Sequence, residues 1–327
     1  MRKTVLLESP EKMVKTAADR ASKRVLGAYD KKFLTEKKIT SFSNFLLEKI
    51  DSAIRAIPTR ENTSAFHFEL IKTIESEEKI TIMRNHFITI RKLLSYRKRA
   101  AIKATRANKK ESGKIFKELM GRSASIMKTL APTIKAFNSL QKNLKELPSI
   151  DAKTKTIVLA GYPNAGKTTI LKRLTGSEPE IAPYPFTTKK LNVGVFEHKL
   201  MKIQVIDTPG LLDREPEKRN AVERKAVLAM RFLPGITGFV VDCSEQACPM
   251  EQQKSLFSKI RREFKEKECI VFLNKLDIAS ELQKNRAKEL FTGENILEFP
   301  EEKAVEIREI LWKTLYKEER IKALETK

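Results

Sequence analysis

"GYPNAGKTT", residues 161–169, decides how this chain reads. Two glycines, Gly161 and Gly166, bracket four residues, and Lys167, Thr168 and Thr169 follow. The apolar run "TKTIVLA" (154–160) precedes it and helix-compatible residues come after. That order predicts a strand, a phosphate-cradling loop and a helix. Backbone N–H groups at residues 164–168, including those of Asn164 and Ala165, can converge on phosphate oxygens, and the helix adds its positive end. Lys167 would reach the β- and γ-phosphates, and the Thr168 hydroxyl would ligate Mg²⁺.

Two later stretches give the loop its partners. "KIQVIDTPG" (202–210) is a strand ending on Asp207, a carboxylate suited to holding the Mg²⁺ water shell, while the Gly210 N–H can bond a γ-phosphate. "CIVFLNKLD" (269–277) is a buried-strand run closing on "NKLD". Asp277 can accept from the N1–H and the exocyclic amine of guanine together. Adenine has neither donor and would leave a desolvated carboxylate unpaired, at a cost on the order of several kcal/mol. Asn274 braces that loop and the Lys275 stem lies over the base. The expected nucleotide is therefore GTP or GDP, held by Gly161, Asn164, Ala165, Gly166, Lys167, Thr168 and Thr169 together with Asn274, Lys275 and Asp277.

Further apolar runs, "LNVGVFEH" (191–198) and "ITGFVVDCSE" (236–245), alternate with helical stretches at 217–233 and 251–267. The alternation predicts an α/β P-loop domain with a doubly wound, mostly parallel sheet over residues 151–327. It closes on a helix whose Val305, Ile307, Ile310, Leu311 and Leu315 face the sheet, with Trp312 in or beside that contact.

Residues 1–150 follow another grammar. "SFSNFLLEKIDSAIRAIP" (41–58) places Phe42, Phe45, Leu46, Ile50, Ile54 and Ile57 on one helical stripe that Pro58 ends. Ile126, Leu130, Ile134, Phe137, Leu140 and Leu144 form a second stripe. Only three glycines precede residue 161, consistent with a helical bundle whose loops lie near 58–63 and 106–113. This half carries 33 Lys and Arg against 15 Asp and Glu, whereas residues 151–327 carry 32 against 27. Of the formal charge of +23, +18 therefore sits in the helical half. Positive charge so concentrated points to a polyanion, bound by releasing its counterions. The densest patch holds Arg91, Lys92, Arg97, Lys98, Arg99, Lys103, Arg106, Lys109 and Lys110, and continues to Lys128. Only Tyr96 and Phe116 interleave it, which favours phosphate tracking over base stacking.

Cys243, Cys248 and Cys269, like the three histidines, lack metal-ligand spacing and read as buried or incidental residues in a reducing compartment. No signal peptide and no run of ~20 apolar residues is visible, so a cytoplasmic, membrane-free protein is expected.

On "GYPNAGKTT", "YPFTTKKLNVGV" and "DTPGLLDR" the second half resembles the Obg-related GTPases. With its basic helical extension, the chain is similar to the nucleolar GTP-binding protein family that assists large ribosomal subunit assembly, in its shorter, archaeal-type form. The resemblance implies that Thr188 of "PFTT" senses the γ-phosphate and Mg²⁺, placing it beside Lys167 and Gly210 in the catalytic set and beside Thr168 and Asp207 (through water) around the metal. Leu211 stands where many GTPases have a water-orienting glutamine, so unassisted turnover is expected to be slow, on the order of 10⁻⁴–10⁻² s⁻¹. Asn164 either braces its loop or, as in some related GTPases, helps bind K⁺. The family's Ser-Ala guanine loop is missing, and Glu298, Phe299 and Pro300 occupy its place. A GTP-switched factor docking on ribosomal RNA of the large-subunit precursor is the leading expectation, with neither DNA nor a membrane as partner. A regulatory GTPase with a protein partner, and an RNA-binding protein with a vestigial nucleotide site, are the alternatives.

Overall fold

In a computed structural model of the 327-residue chain, the structure describes residues 4–23, 31–108, 110–145, 150–183, 190–209, 212–213, 215, 217, 219–300 and 303–317. Two compact units emerge, one from Met1–Asn62 and Ile74–Lys145, the other from Thr63–Thr73 and Glu146–Lys327.

The first unit is helical: α1 (Pro10–Lys23), α2 (Lys31–Ala56), α4 (Glu77–Ala107), α5 (Ser112–Thr129) and α6 (Ala131–Lys145), with α3 (Ala65–Ile71) given to the second unit. Local chemistry sets the helix ends. Ser9 Oγ accepts from the Lys12 N–H at 3.3 Å ahead of Pro10, whose missing N–H costs nothing in a first helical turn. Ser76 Oγ likewise accepts from the Lys79 N–H, with Glu77 and Glu78 in the positive first turn of α4. The α2 stripe is buried through Phe42, Phe45, Leu46, Ile50 and Ile57, while Ile54 is half-buried. The second predicted stripe is divided. Its Leu130 lies between α5 and α6, because Pro132 has no N–H for the Lys128 carbonyl and so stops α5. Leu130, Ile134, Phe137 and Leu140 are still buried. Asn138 of α6 ties down the N-terminal segment by bonding both the N–H (2.9 Å) and the carbonyl (2.8 Å) of Leu7.

The second unit is a seven-stranded sheet in the order β2-β3-β4-β1-β5-β6-β7. Its strands are β1 (Lys155–Ala160), β2 (Glu180–Pro183), β3 (Lys190–His198), β4 (Met201–Asp207), β5 (Gly235–Asp242), β6 (Cys269–Asn274) and β7 (Asn295–Glu298). From β4 to β7 every pairing is parallel, and β2 and β3 add antiparallel pairs at one edge. The helices are α7 (Lys167–Thr175), α8 (Ala221–Met230), α9 (Met250–Glu263), α10 (Glu281–Leu290) and α11 (Ala304–Leu315). Alternate strand residues feed two cores: Val158, Ile206, Phe239 and Val271 pack with Val227, Phe257 and Phe291, whereas Ile157, Leu159, Val205 and Phe272 pack with Ile170, Leu171 and Leu311. Covering both faces is what makes these strands continuous apolar runs.

Two details depart from the sequence reading. Residues 63–73 cluster with the sheet unit rather than with the helical half, since Phe66 and Leu70 of α3 are wholly buried in the first of these cores. Burial of each contributes about 1.5–3 kcal/mol. In α11, Ile307, Leu311 and Leu315 recur every four residues and are buried, but Val305 and Ile310 are exposed. At 100° per residue both fall well off the stripe that the other three define.

Candidate functional site

The phosphate loop is built where two glycines are required. Gly161 has φ +139°, and a Cβ there would lie 2.5 Å from the Val240 carbonyl oxygen. Gly166 has φ +98°, and its added Cβ would lie 2.0 Å from Asn274 Nδ2. Asn164 is left-handed too (φ 62°) and its side chain is exposed. Ala165 is buried, and Gly166 caps α7, so the first N–H groups of that helix, around Thr168 and Thr169, have no intrahelical partner. Lys167 is buried, its ammonium donating to the carbonyls of Gly161 (2.9 Å) and Tyr162 (2.8 Å). Burial lowers its pKa, and the nearby Asp207 and Asp213 carboxylates work against that shift.

Asp207 lies at the carboxyl end of β4. Its Oδ2 accepts from Thr168 Oγ1 at 2.5 Å and from Asn192 Nδ2 at 3.0 Å. Its Oδ1 is buried and accepts no hydrogen bond among the described residues. A buried carboxylate oxygen beside a threonine hydroxyl fits a hard cation with oxygen ligands, as Mg²⁺ requires. Asn192 is paired with Asp207 in the antiparallel register of β3 and β4. Sequence reading missed it; a polar residue amid "LNVGV" was the available signal.

The third part stands at the ends of β5 and β6, where Asp242 and Asn274 are paired in register. Asn274 Nδ2 donates to the Ala165 carbonyl at 2.9 Å. Lys275, at φ 59°, bonds Asp242 Oδ2 at 2.9 Å. Asp242 is wholly buried and also accepts from Ser244 N (3.0 Å), Ser244 Oγ (2.5 Å) and Ala247 N (2.9 Å). Burial by itself would raise its pKa, but the bonds from Ser244, Lys275 and Ala247 prevail and lower it. An acid closing "GFVVD" as Asp207 closes "IQVID" was the overlooked signal. Asp277 is exposed and has no side-chain partner among the described residues. Phe299 is a core residue: its N–H bonds the Leu273 carbonyl (2.9 Å) and its ring meets Phe272 edge-on.

Thr187, Thr188, Gly210 and Leu211 lie outside the described residues, as does Lys109. Leu212 is buried, and its carbonyl accepts the Gly161 N–H at 3.0 Å. The three cysteines are free and buried, with Cys243 and Cys269 pushed up to about 12 by burial. Among the described residues no helix is long and apolar enough to cross a membrane.

The basic patch of the helical unit divides into two rows. Arg91 pairs with Asp51, Lys98 Nζ donates to Asn44 Oδ1 (2.8 Å), and Arg106 pairs with Glu36 (3.1 Å), all toward α2. Arg97 is half-buried, and its Nε has no partner among the described residues. Lys92, Arg99, Lys103 and Lys110 are exposed, with no partner among the described residues.

Residues 6–151 match the model described as "NOG1 N-terminal helical domain", and residues 156–275 match "50S ribosome-binding GTPase". The chain is 33% identical over 255 residues to an uncharacterized protein of Methanocaldococcus jannaschii, covering 76% of this chain and 71% of that one. It is 33% identical to nucleolar GTP-binding protein 1 of Candida glabrata over 250 residues (75% of this chain, 39% of that one). To the Saccharomyces cerevisiae protein of the same name it is 30% identical over 269 residues (81% and 41%).

This chain belongs to the nucleolar GTP-binding protein 1 family.

It spans about two fifths of the length of the nucleolar GTP-binding proteins it matches. The family's helical and GTPase models fall on the two halves whose composition separates them, and the GTPase match contains both the loop at 161–169 and Asn274.

Proposed function

We propose that the chain binds GTP and GDP with Mg²⁺, hydrolyses GTP slowly, and docks through its helical unit on ribosomal RNA of a large-subunit precursor, leaving as its nucleotide state changes. One observation carries the nucleotide reading: Lys167, Thr168, Asp207 and Asn274 converge at the carboxyl ends of neighbouring strands, where open α/β sheets bind ligands. Asp277 follows two residues after Lys275, free to accept from guanine. Bound Mg²⁺ would neutralise charge on the β- and γ-phosphates. Thr168 would ligate it, and Asp207 Oδ1 would hold its water. Thr188 and the Gly210 N–H complete the γ-phosphate contacts in this reading, and their ordering and release would couple hydrolysis to departure from the particle.

The test is direct. Purified protein should hold GTP and GDP far more tightly than ATP, turn GTP over above background, and lose both properties in Lys167→Ala. Equal affinity for ATP and GTP would sink the nucleotide reading. Sedimentation of the chain with large-subunit precursors supports the docking reading, and accumulation on mature ribosomes alone contradicts it. For Asn164 we propose a K⁺ contact: turnover should be faster in KCl than in NaCl at matched ionic strength, and equal rates would leave it a loop brace.

A further inference from the structure

The division of the basic patch into two rows separates residues that a charge count treats alike. On α4 no acidic residue occurs between Glu78 and Glu111. The row of Arg91, Lys98 and Arg106 is engaged with α2 and contributes to holding the unit together. About 100° around the helix runs Lys92, Tyr96, Arg99 and Lys103, at intervals of four, three and four residues. These four lie within an arc of about 60° and along roughly 16 Å of helix. All are exposed, and none has a side-chain hydrogen bond, ion pair or ring contact among the described residues.

Tyr96 is the informative member. The residue is 59% exposed in the middle of the cationic row, whereas Phe116, the other aromatic residue of the patch, is half-buried and meets Phe42 edge-on at 5.9 Å. Service to the helix dipole does not account for the row. That interaction falls off within the last turn, and α4 continues to Ala107, well past Lys92 and Arg99. A protein partner would ask for an apolar centre with cations at the rim. Here Tyr96 is flanked by Lys92 and Arg99 on one side, and the exposed Leu93 and Ala100 on the other add too little apolar surface for such a centre. A duplex would give the ring nothing to stack on, because its bases are already stacked. An unpaired strand offers phosphates to the cations and a free base face to the ring.

We propose that Lys92, Tyr96, Arg99 and Lys103 form a binding surface for an unpaired RNA segment, Tyr96 stacking on a base while the three cations hold phosphates. This rests on the RNA-docking reading above and differs from the sequence-based expectation that phosphate tracking is favoured over base stacking. Sequence specificity is not required of it, since every base has a stacking face.

The test uses the full chain with a fluorescent single-stranded oligoribonucleotide and a blunt RNA duplex, each titrated at several salt concentrations. Tyr96→Leu should weaken single-strand binding about five- to one-hundred-fold without altering its salt dependence or the duplex affinity. Tyr96→Phe should restore it. Arg99→Gln and Lys103→Gln should each reduce the salt slope by about 0.7, and Lys288→Gln, paired with Glu298 in the sheet unit, should leave the slope unchanged. Circular dichroism of each variant checks that the helices persist. Undiminished single-strand binding by Tyr96→Leu, with weakening in Lys103→Gln, would overturn the stacking surface and leave RNA docking standing. Failure of the unaltered chain to bind either RNA, or capture of a protein through this row, would overturn both.

Discussion

The Asn274 amide donates to the Ala165 carbonyl at 2.9 Å and occupies the space a side chain at Gly166 would need. The residue that opens the 274–277 segment, proposed to read guanine, is thereby the wall against which the 161–166 loop is formed. Gly166→Ala should therefore act at a distance from its own backbone. The new Cβ, 2.0 Å from Nδ2, forces the Asn274 amide away and strains a φ of +98°. GDP affinity is expected to fall at least ten-fold by isothermal titration. Asn274→Ala removes the donor and leaves a buried carbonyl unpaired at about 1–3 kcal/mol, so it should lower the melting temperature and weaken GDP binding together.

Asn192 provides a separate handle on the proposed Mg²⁺ site. It holds Asp207 Oδ2 at 3.0 Å, and Oδ1 has no hydrogen bond among the described residues. In Asn192→Ala the carboxylate loses one of the two side-chain donors it has among the described residues. The Mg²⁺ concentration needed to retain fluorescent GDP should rise several-fold, with nucleotide retention in saturating Mg²⁺ little changed. Asn192→Asp sets two carboxylates side by side, so its melting temperature without divalent ions should fall and recover on adding Mg²⁺.

How much of this was legible beforehand differs by residue. The loop, Asp207 and the "NKLD" segment are contiguous strings with fixed offsets, so their chemistry can be read from spacing. Asn192 and Asp242 matter through register, Asn192 beside Asp207 and Asp242 beside Asn274, and register arises only when the sheet assembles. The two halves announced themselves by composition and periodicity. The placement of α3 did not, because Phe66 and Leu70 form an apolar pair whose core cannot be known from seven residues. The same holds for the basic patch: Arg91 and Lys92 are adjacent in sequence, and only their neighbours on α2 distinguish an engaged cation from a free one.

Asp242 is expected to position Lys275 rather than touch nucleotide. Its carboxylate, wholly buried, anchors the ammonium at 2.9 Å and the 243–247 turn through Ser244 and Ala247. Asp242→Asn keeps the shape but removes the charge. GDP affinity should fall by roughly ten- to one-hundred-fold, consistent with about 1.5–3 kcal/mol for a hydrogen bond to a charged group. Lys275→Met should cost a similar amount, and the double variant little more than either. Additive losses in that cycle would mean that Asp242 acts on the turn alone.

Lys267 predicts an alkaline signature of the fold. It is buried, its ammonium donates to the Leu233 carbonyl, and burial lowers its pKa from 10.5 to about 8. Below pH 8 the lysine is charged in both states, and the folded chain bears the desolvation cost. Between about 8 and 10.5 the unfolded chain keeps a proton that the folded chain has released, so stability rises with pH through this window. A shift of this size corresponds to a change on the order of 3 kcal/mol. Lys267→Met should remove that rise. The quantity to follow is the difference in denaturation free energy between the unaltered chain and the variant from pH 7.5 to 10.5, in which thiols and tyrosines common to both cancel. The unaltered chain should gain on the variant steadily as pH increases, and a flat difference would place the Lys267 amine in contact with water.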